Sequence, residues 1–438
     1  MPGLPLLQPM TDPGFRIRIL PAIADIPAAA WDACAHPAPE NRAACLVNAF
    51  TGSRYQANEV VKVTDELSPR ASVETSGYPH NPFVSHAFLS ALEVSGSATA
   101  RTGWQPRHLL VEGPQGEVLG VTPCYLKSHS RGEYVFDAGW ADAYERVGGA
   151  YYPKLQVSVP FTPVTGSRLL VPPGPSRETV QTALAAGIEA LTDKFGASSA
   201  HVTFLPEDEW RLLGDRGFLQ RTDQQFHWDN AGYSSFEEFL AALASRKRKA
   251  IRRERNVAIE NGITVHWLTG SDLTDDVWDA FFAFYMNTGS RKWGRPYLTR
   301  SFFSIVGEAM GERVLLVMAK RAGRWIAGAI NFIGSDTLYG RHWGAVEEHP
   351  FLHFEVCYYQ AIEYAIAHRL RRVEAGAQGE HKLARGYMPV TTYSAHYIAD
   401  PAFRRAIADY LKRERSYVAA AGEELAALAP FRKTAGGD

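Results

Sequence analysis

The densest run of reactive side chains lies between Gly376 and Pro389, where Gln378, Glu380, His381, Lys382, Arg385 and Tyr387 crowd one segment. Groups of this kind can move protons and offset charge that develops during a reaction. Gly376, Gly379 and Gly386 interrupt the run, which follows an apolar stretch and so reads as a loop approached closely by its surroundings. The string GAQGEHK lacks the spacing of a phosphate-cradling P-loop. A merely solvated connection is the alternative.

Upstream, Glu355 sits on a helical stripe with Leu352, Tyr359, Ile362 and Ile366. A carboxylate among such neighbours is expected to hold its proton more tightly, as a general base for an amine needs. The competing reading is a Glu bonded to a buried Tyr or Arg. His349 and His353 are four apart, but Pro350 leaves His349 outside the helix. No zinc pair and no HExxH motif result, and no metal is expected.

Asn287–Leu298 gathers Arg291, Lys292 and Arg295 around Trp293, with Gly289 and Gly294 freeing the backbone. Cations beside an indole suit phosphates and a flat base; a helix end favoured by nearby cations is the plainer reading. In the basic run Arg246–Arg255, a helix places Phe239, Leu243, Ala250, Ile251, Val257 and Ala258 on one face. Arg248, Lys249, Arg252 and Arg255 then lie opposite, in water. Lys247 and Glu254 fall on the apolar side, so Lys247 meets either an internal acid or an anionic group of a substrate.

The elements that must position these groups follow from periodicity. A short strand (residues 15–20) and a helix holding Trp31 precede a proline-rich, irregular insertion over residues 37–79. Then come a helix at 85–93 and two strands, 107–112 and 118–126, around Pro114-Gln115-Gly116, which is a hairpin signal. Strands at 134–136, 156–161 and 201–205 and a helix at 177–195 complete the first half. The second half repeats these ingredients: helices at 236–261 and 275–288, strands at 313–320, 325–333 and 337–343, a long helix at 351–369 and a strand at 372–377. Hairpin, helix, strand in both halves indicates an α+β duplication and not a doubly wound sheet. The division expected is an N-terminal segment 1–80 and two related domains, 81–222 and 223–430.

Length also argues for two domains. With 46 Lys and Arg against 47 Asp and Glu, the chain has no global field, and a polyanion would need a local basic patch. Cys34, Cys45, Cys124 and Cys357 show no CxxC spacing, so reduced thiols are expected. With no basic start before an apolar run and no stretch of about 20 apolar residues, the reading is a cytoplasmic protein without membrane insertion.

Longer strings narrow the reading. HNPFVSHAFLSALE, TPCYLKSHSRGEYVFDAGWADAY and YYPKLQVSVPFTPVTGSRLL in the first half stand with YGRHWG, HPFLHFEVCYYQAIEYAI and EAGAQGEHKLARGYMPVTTYSAHYI in the second. Together they resemble the FemAB-like N-acyltransferases of the GNAT superfamily, relatives of enzymes that add amino acids to peptidoglycan precursors. The resemblance implies tandem GNAT-like domains, with mixed, largely antiparallel sheets flanked by helices. It implies an N-acyltransferase that moves an acyl or aminoacyl group from an activated donor to the amine of a small molecule or peptide, without a covalent enzyme intermediate.

Lys382 followed by Gly386 resembles a Lys and Gly of the family, which implies that Lys382 holds the donor or steadies the oxyanion. Arg385 and His342 would assist it. Glu355 or His381 would take the acceptor's proton, and Tyr393 would return one to the leaving group. Lys247, Arg291, Lys292, Trp293, Trp343 and Glu380 would bind donor or acceptor. Acetyl-CoA-type members carry a Gly-rich pyrophosphate loop before the corresponding helix. Here Val346–His353 has no glycine, two acids and a proline that removes an N–H. The departure favours aminoacyl-tRNA as co-substrate over acyl-CoA or an acyl-carrier protein, with no tightly bound cofactor and no DNA partner. A non-catalytic binding protein on the same scaffold is the remaining alternative.

Overall fold

The computed structural model describes residues 14–37, 79–292, 296–376 and 379–432. The strands in chain order are β1 (Arg16–Leu20), β2 (Trp104–Pro106), β3 (His108–Glu112), β4 (Val118–Thr122), β5 (Cys124–Lys127), β6 (Lys154–Val157) and β7 (Ser199–Leu205). They continue with β8 (Leu219–Asp229), β9 (Ile263–Leu268), β10 (Val314–Arg321), β11 (Arg324–Ile333), β12 (Thr337–Ala345), β13 (Arg372–Glu374) and β14 (Met388–Ile398). The expected hairpin around Pro114-Gln115-Gly116 is β3–β4, which with β1 makes a small three-stranded sheet.

Everything else joins one sheet of 11 strands in the order β2-β5-β6-β7-β14-β8-β13-β12-β11-β10-β9. Within it only β6–β7 and β12–β13 are parallel. The chain is thus α+β with two GNAT-like halves, each carrying antiparallel strands that lead to one parallel pair. The last strand of each half crosses over. β8 pairs with β13 of the second half, while β14 pairs with β7 of the first. Between them β8 and β14 form a nine-residue antiparallel ladder from Met388↔His227 to His396↔Leu219. Residues 222 and 223 both lie inside β8.

Alternating apolar residues send side chains to both faces of this sheet, and helices cover both. Two cores centre one on each half and take in the exchanged strand of the other, and two further clusters are shared between the halves. In one of these Phe83 and Phe88, from the first half, meet Phe332 of β11 at 4.8 and 5.4 Å between ring centroids. Phe88 also meets Phe302 at 5.7 Å. At the crossing itself, His201 of β7 and His396 of β14 are cross-strand partners, with their Nδ1 atoms 2.7 Å apart. Burial lowers the pKa of both, so two neutral rings share one proton between those nitrogens.

Several expectations are corrected. Residues 134–136 form no strand, and Tyr134 has a left-handed backbone (φ 62°) that a strand cannot hold. The single helix expected over 236–261 is two, Phe236–Ala242 and Ser245–Ala258. Between them buried Leu243 turns extended to bridge Phe431. The helix expected at 351–369 contains a π-turn over Glu355–Tyr359. The strand expected to reach residue 377 ends at Glu374. β8, β9, β14 and the long Pro401–Ala427 helix had no clear periodic signal. The insertion 38–78, with Cys45, lies outside the described residues. Among the described residues, buried Cys34 and Cys124 form no disulfide.

A strand exchanged in each direction ties the halves into one hydrogen-bonded unit, although chains of this length often unfold domain by domain. Scanning calorimetry is therefore expected to show a single unfolding transition. Two resolved transitions, one per half, would contradict the coupling.

Candidate active site

The second half's parallel pair supplies the opening. β12 and β13 are bonded from Thr337↔Arg372 to Tyr339↔Glu374, and beyond those residues they no longer pair. β12 runs on through Arg341, His342 and Trp343 against β11 alone, while the chain leaving β13 turns into the loop that carries Lys382. A short 3-10 helix, Glu380–Arg385, forms this loop. It ends at Gly386, whose φ of 89° suits glycine and where a Cβ would lie 2.9 Å from the Phe239 ring.

Lys382 is 3% exposed. Its Nζ donates to the Gly376 carbonyl at 3.0 Å, and no acidic side chain among the described residues pairs with it. Burial is the main reason its pKa falls to about 8; nearby Cys357 opposes the shift and Arg341 adds to it. An ammonium stripped of water and offered only a carbonyl is poorly compensated, so an arriving oxyanion would be bound strongly there.

The loop is pinned by Arg385, which donates to Glu254 at 2.8 Å and to the His381 carbonyl at 2.7 Å. Its guanidinium also lies 3.4 Å from the centroid of the Phe354 ring. Glu254 accepts a further bond from the Tyr359 hydroxyl. His381 is exposed, with Nε2 2.9 Å from the Tyr358 hydroxyl; Tyr387 donates to the Tyr358 carbonyl at 3.2 Å. The π-turn turns Tyr358 and Tyr359 toward this loop, and such turns recur at functional sites. Arg341, which was not among the expected site residues, is buried and paired with Glu374 at 3.3 Å. Glu374 also accepts from Thr165 of the first half at 2.6 Å. A charge in the middle of an otherwise apolar strand was the available signal.

Thus Lys382, His381 and Arg385 come together, whereas His342 of β12 packs on Tyr285, with ring centroids 5.0 Å apart. Burial, and then Arg341, push the His342 pKa down to about 4, so its ring is neutral and can donate one N–H but supplies no charge. Trp343 is half-buried, 5.2 Å from the His353 ring. Glu355 is placed elsewhere, on the other side of the π-turn. It is 2% exposed and held by Arg255 Nε and Nη2 at 2.8–3.2 Å and by Gln360 at 2.7 Å. Arg255, expected in water, is therefore half-buried, pairing with Glu363 as well and lying over the Phe236 ring. Tyr393 is not near the loop: it lies five residues into β14 from Met388 and packs on Trp210, with ring centroids 5.1 Å apart.

Lys247 is half-buried, one turn from Ile251 and two from Glu254, and among the described residues no hydrogen bond or ion pair holds it. Trp293 and Arg295 lie outside the described residues, as do the side chains of Arg291, Lys292 and Glu380. In the turn after β12, Glu347 is occupied by Arg321 at 2.8 Å and His349 at 3.0 Å. Among the described residues no group of three or more His, Cys, Asp or Glu could hold a metal ion. No described helix is long and apolar enough to cross a membrane.

Arg385 to Lys keeps the charge but loses the two-armed fork and the ring contact. Urea unfolding should show a loss of about 1–3 kcal/mol. Arg252 to Lys, in an exposed pair with Glu237, should change stability by less than about 0.5 kcal/mol. Equal effects would mean that Arg385 is not the pin.

The sequence matches the FemAB-like family, described as peptidoglycan biosynthesis and recognition, over residues 63–433. No curated protein matches. Among solved structures the chain is similar to FemX, with 13% identity, 72% of this chain and 93% of that one covered, and a TM-score of 0.46. It is also similar to L-PGS from Bacillus licheniformis, with 10% identity, 76% and 98% covered, and a TM-score of 0.46. A third likeness is to a tandem GNAT protein from the clavulanic acid biosynthesis pathway, with 13% identity, 88% and 99% covered, and a TM-score of 0.41. With the family matched over most of its length, the chain belongs to the FemAB-like family and is a transferase.

Proposed function

We propose that this protein is an N-acyltransferase that passes an acyl or aminoacyl group directly from an activated donor to an amine, with no covalent enzyme intermediate. The observation that carries the reading is Lys382, a buried ammonium with a carbonyl as its hydrogen-bond partner, beside the end of the β12–β13 pairing. The acceptor nitrogen attacks the donor carbonyl carbon, and the carbonyl oxygen becomes an oxyanion that Lys382 Nζ meets. His381, already bonded to the Tyr358 hydroxyl, accepts the ammonium proton as the new C–N bond forms. The bond from carbon to the donor oxygen or sulfur then breaks, and that atom leaves with the proton that His381 gives up. The position of Glu355 inside an Arg255 fork supports a structural part for it, and the distance of Tyr393 from the loop supports leaving it out of proton transfer.

Aminoacyl-tRNA is the donor that fits best, which places the reaction in the cytoplasm. The turn after β12 lacks glycine, contains Pro350 and has Glu347 committed to Arg321 and His349, so it offers a pyrophosphate little. Arg246, Lys249 and Arg253 are exposed along the Ser245–Ala258 helix, which packs against the Lys382 loop, and they give a polyanion a local patch. The acceptor is the amine of a small molecule or peptide. Titration calorimetry separates the donors. Coenzyme A is expected to give no heat and charged tRNA to bind, more weakly as salt rises; micromolar coenzyme A binding would reverse the assignment.

Lys382 to Met gives a test with two readouts. Transfer from labelled aminoacyl-tRNA to an amine acceptor should fall by at least about a hundredfold. The same change should stabilise the fold at pH 7 by about 1–3 kcal/mol, since a buried charge is removed. The sign follows from the lowered pKa. Between pH 8 and 10.5 the unfolded lysine binds more protons than the folded one, so wild-type stability rises there and the variant's advantage shrinks. Undiminished transfer would remove Lys382 from the reaction.

A further inference from the structure

A cavity lies on the opposite side of the Ser245–Ala258 helix from the Lys382 loop. It opens between that helix, the Phe236–Ala242 helix and the start of β9, with a volume of about 510 Å³. That is within the range of ligand sites, roughly 300–1,000 Å³. None of Lys382, His381 and Arg385 lines it, and the Glu254–Arg385–Tyr359 contacts lie between the two. Residues 254 and 255 of one helix point to different places, Glu254 to the catalytic loop and Arg255 to the cleft.

The lining has two parts. Phe236, Leu240, Ile259 and Val265 make an apolar wall, whose open part is Ile259, 48% exposed, and half-buried Val265. The other wall carries both signs of charge in equal number. Arg252 and Arg255 stand one turn apart, with Asn256 beside them, against Glu237 and Glu355. A simple anion would face two carboxylates and a simple cation two guanidiniums. Only a ligand bearing both charges is matched throughout, and the wall asks in addition for an apolar group.

The two ion pairs differ in how readily they exchange. Arg255 and Glu355 are locked together, with Glu355 2% exposed and bonded also to Gln360. Arg252 and Glu237 form a pair at the mouth with side chains 52% and 67% exposed, and such pairs contribute only about 0–1 kcal/mol. A ligand can therefore replace each partner at little cost while the inner pair keeps the shape of the floor.

We propose that this cleft is a binding site for a free apolar α-amino acid. The ligand carboxylate takes Arg252 and the Asn256 amide, its ammonium takes Glu237, and its side chain lies on Ile259 and Val265. The site is separate from the transfer centre and does not rest on the function proposed above.

The test is titration calorimetry on the full chain with L-leucine and L-phenylalanine as probes. At least one should bind, with leucinamide, N-acetyl-leucine and glycine each weakened tenfold or more for lack of one feature. Arg252→Met and Glu237→Gln, both at exposed positions, should each weaken the better probe about tenfold with unchanged circular dichroism. Lys382→Met should bind it as the wild type does, so that loss of transfer and loss of this site are told apart. Binding of neither probe at about 10 mM, or equal binding of the analogues lacking one charge, would overturn the proposal.

Discussion

The crossing of β8 and β14 is the constraint on which the remaining structure depends. Each half of the duplication would end in a parallel pair with one exposed side, and an unpaired sheet edge is both unstable and prone to wrong pairing. Each half covers that edge with the other's last strand, so β7, β14, β8 and β13 run edge to edge through the middle. Neither half has a complete sheet alone. The shared aromatic core around Phe83, Phe88 and Phe332 then sets the halves against each other on one face of the joint.

This joint places first-half residues at a second-half site. The loop Ser158–Leu169 crosses from β6 and reaches β13, where Thr165 bonds Glu374. That loop is held from within by Arg168, fully buried and spent on the carbonyls of Val164, Gly166, Ser167 and Thr203. Glu374 in turn holds Arg341 beside the opening where Lys382 lies. The geometry of the candidate centre is therefore a property of the duplicated whole.

Two buried lysines, Lys154 and Lys382, are answered in opposite ways. Lys154, in the first half, is fully buried, and although burial is the largest influence on it, Glu133 and Asp137 outweigh that and raise its pKa. Its charge is answered inside the protein, as a structural network requires. Lys382 has a carbonyl in place of those acids, and its pKa falls to about 8. The same side chain in a comparable degree of burial is thus closed to a ligand at Lys154 and open to an anion at Lys382. The π-turn separates a further pair of environments, with Tyr358 and Tyr359 on the Lys382 side and Glu355 and Gln360 on the cleft side.

By itself the sequence determined what local pattern can determine. Apolar alternation marked the β10–β11–β12 meander, the β3–β4 hairpin and the order of elements in each half, and the long strings carried the family. Glycine spacing and charge density marked the Lys382 loop. Partnership across the fold was beyond it. The apolar stripe around Glu355 was legible, but only the packing of the Ser245–Ala258 helix showed that Arg255, one hundred positions away, occupies it. β8 and β14 read as polar, weakly periodic segments because both their edges are covered by strands from the opposite half, not by a local hairpin. Periodicity reports which face of an element is buried. It does not report which distant strand lies beside it, and that neighbour is what separates the answered charge of Glu355 from the open one of Lys382.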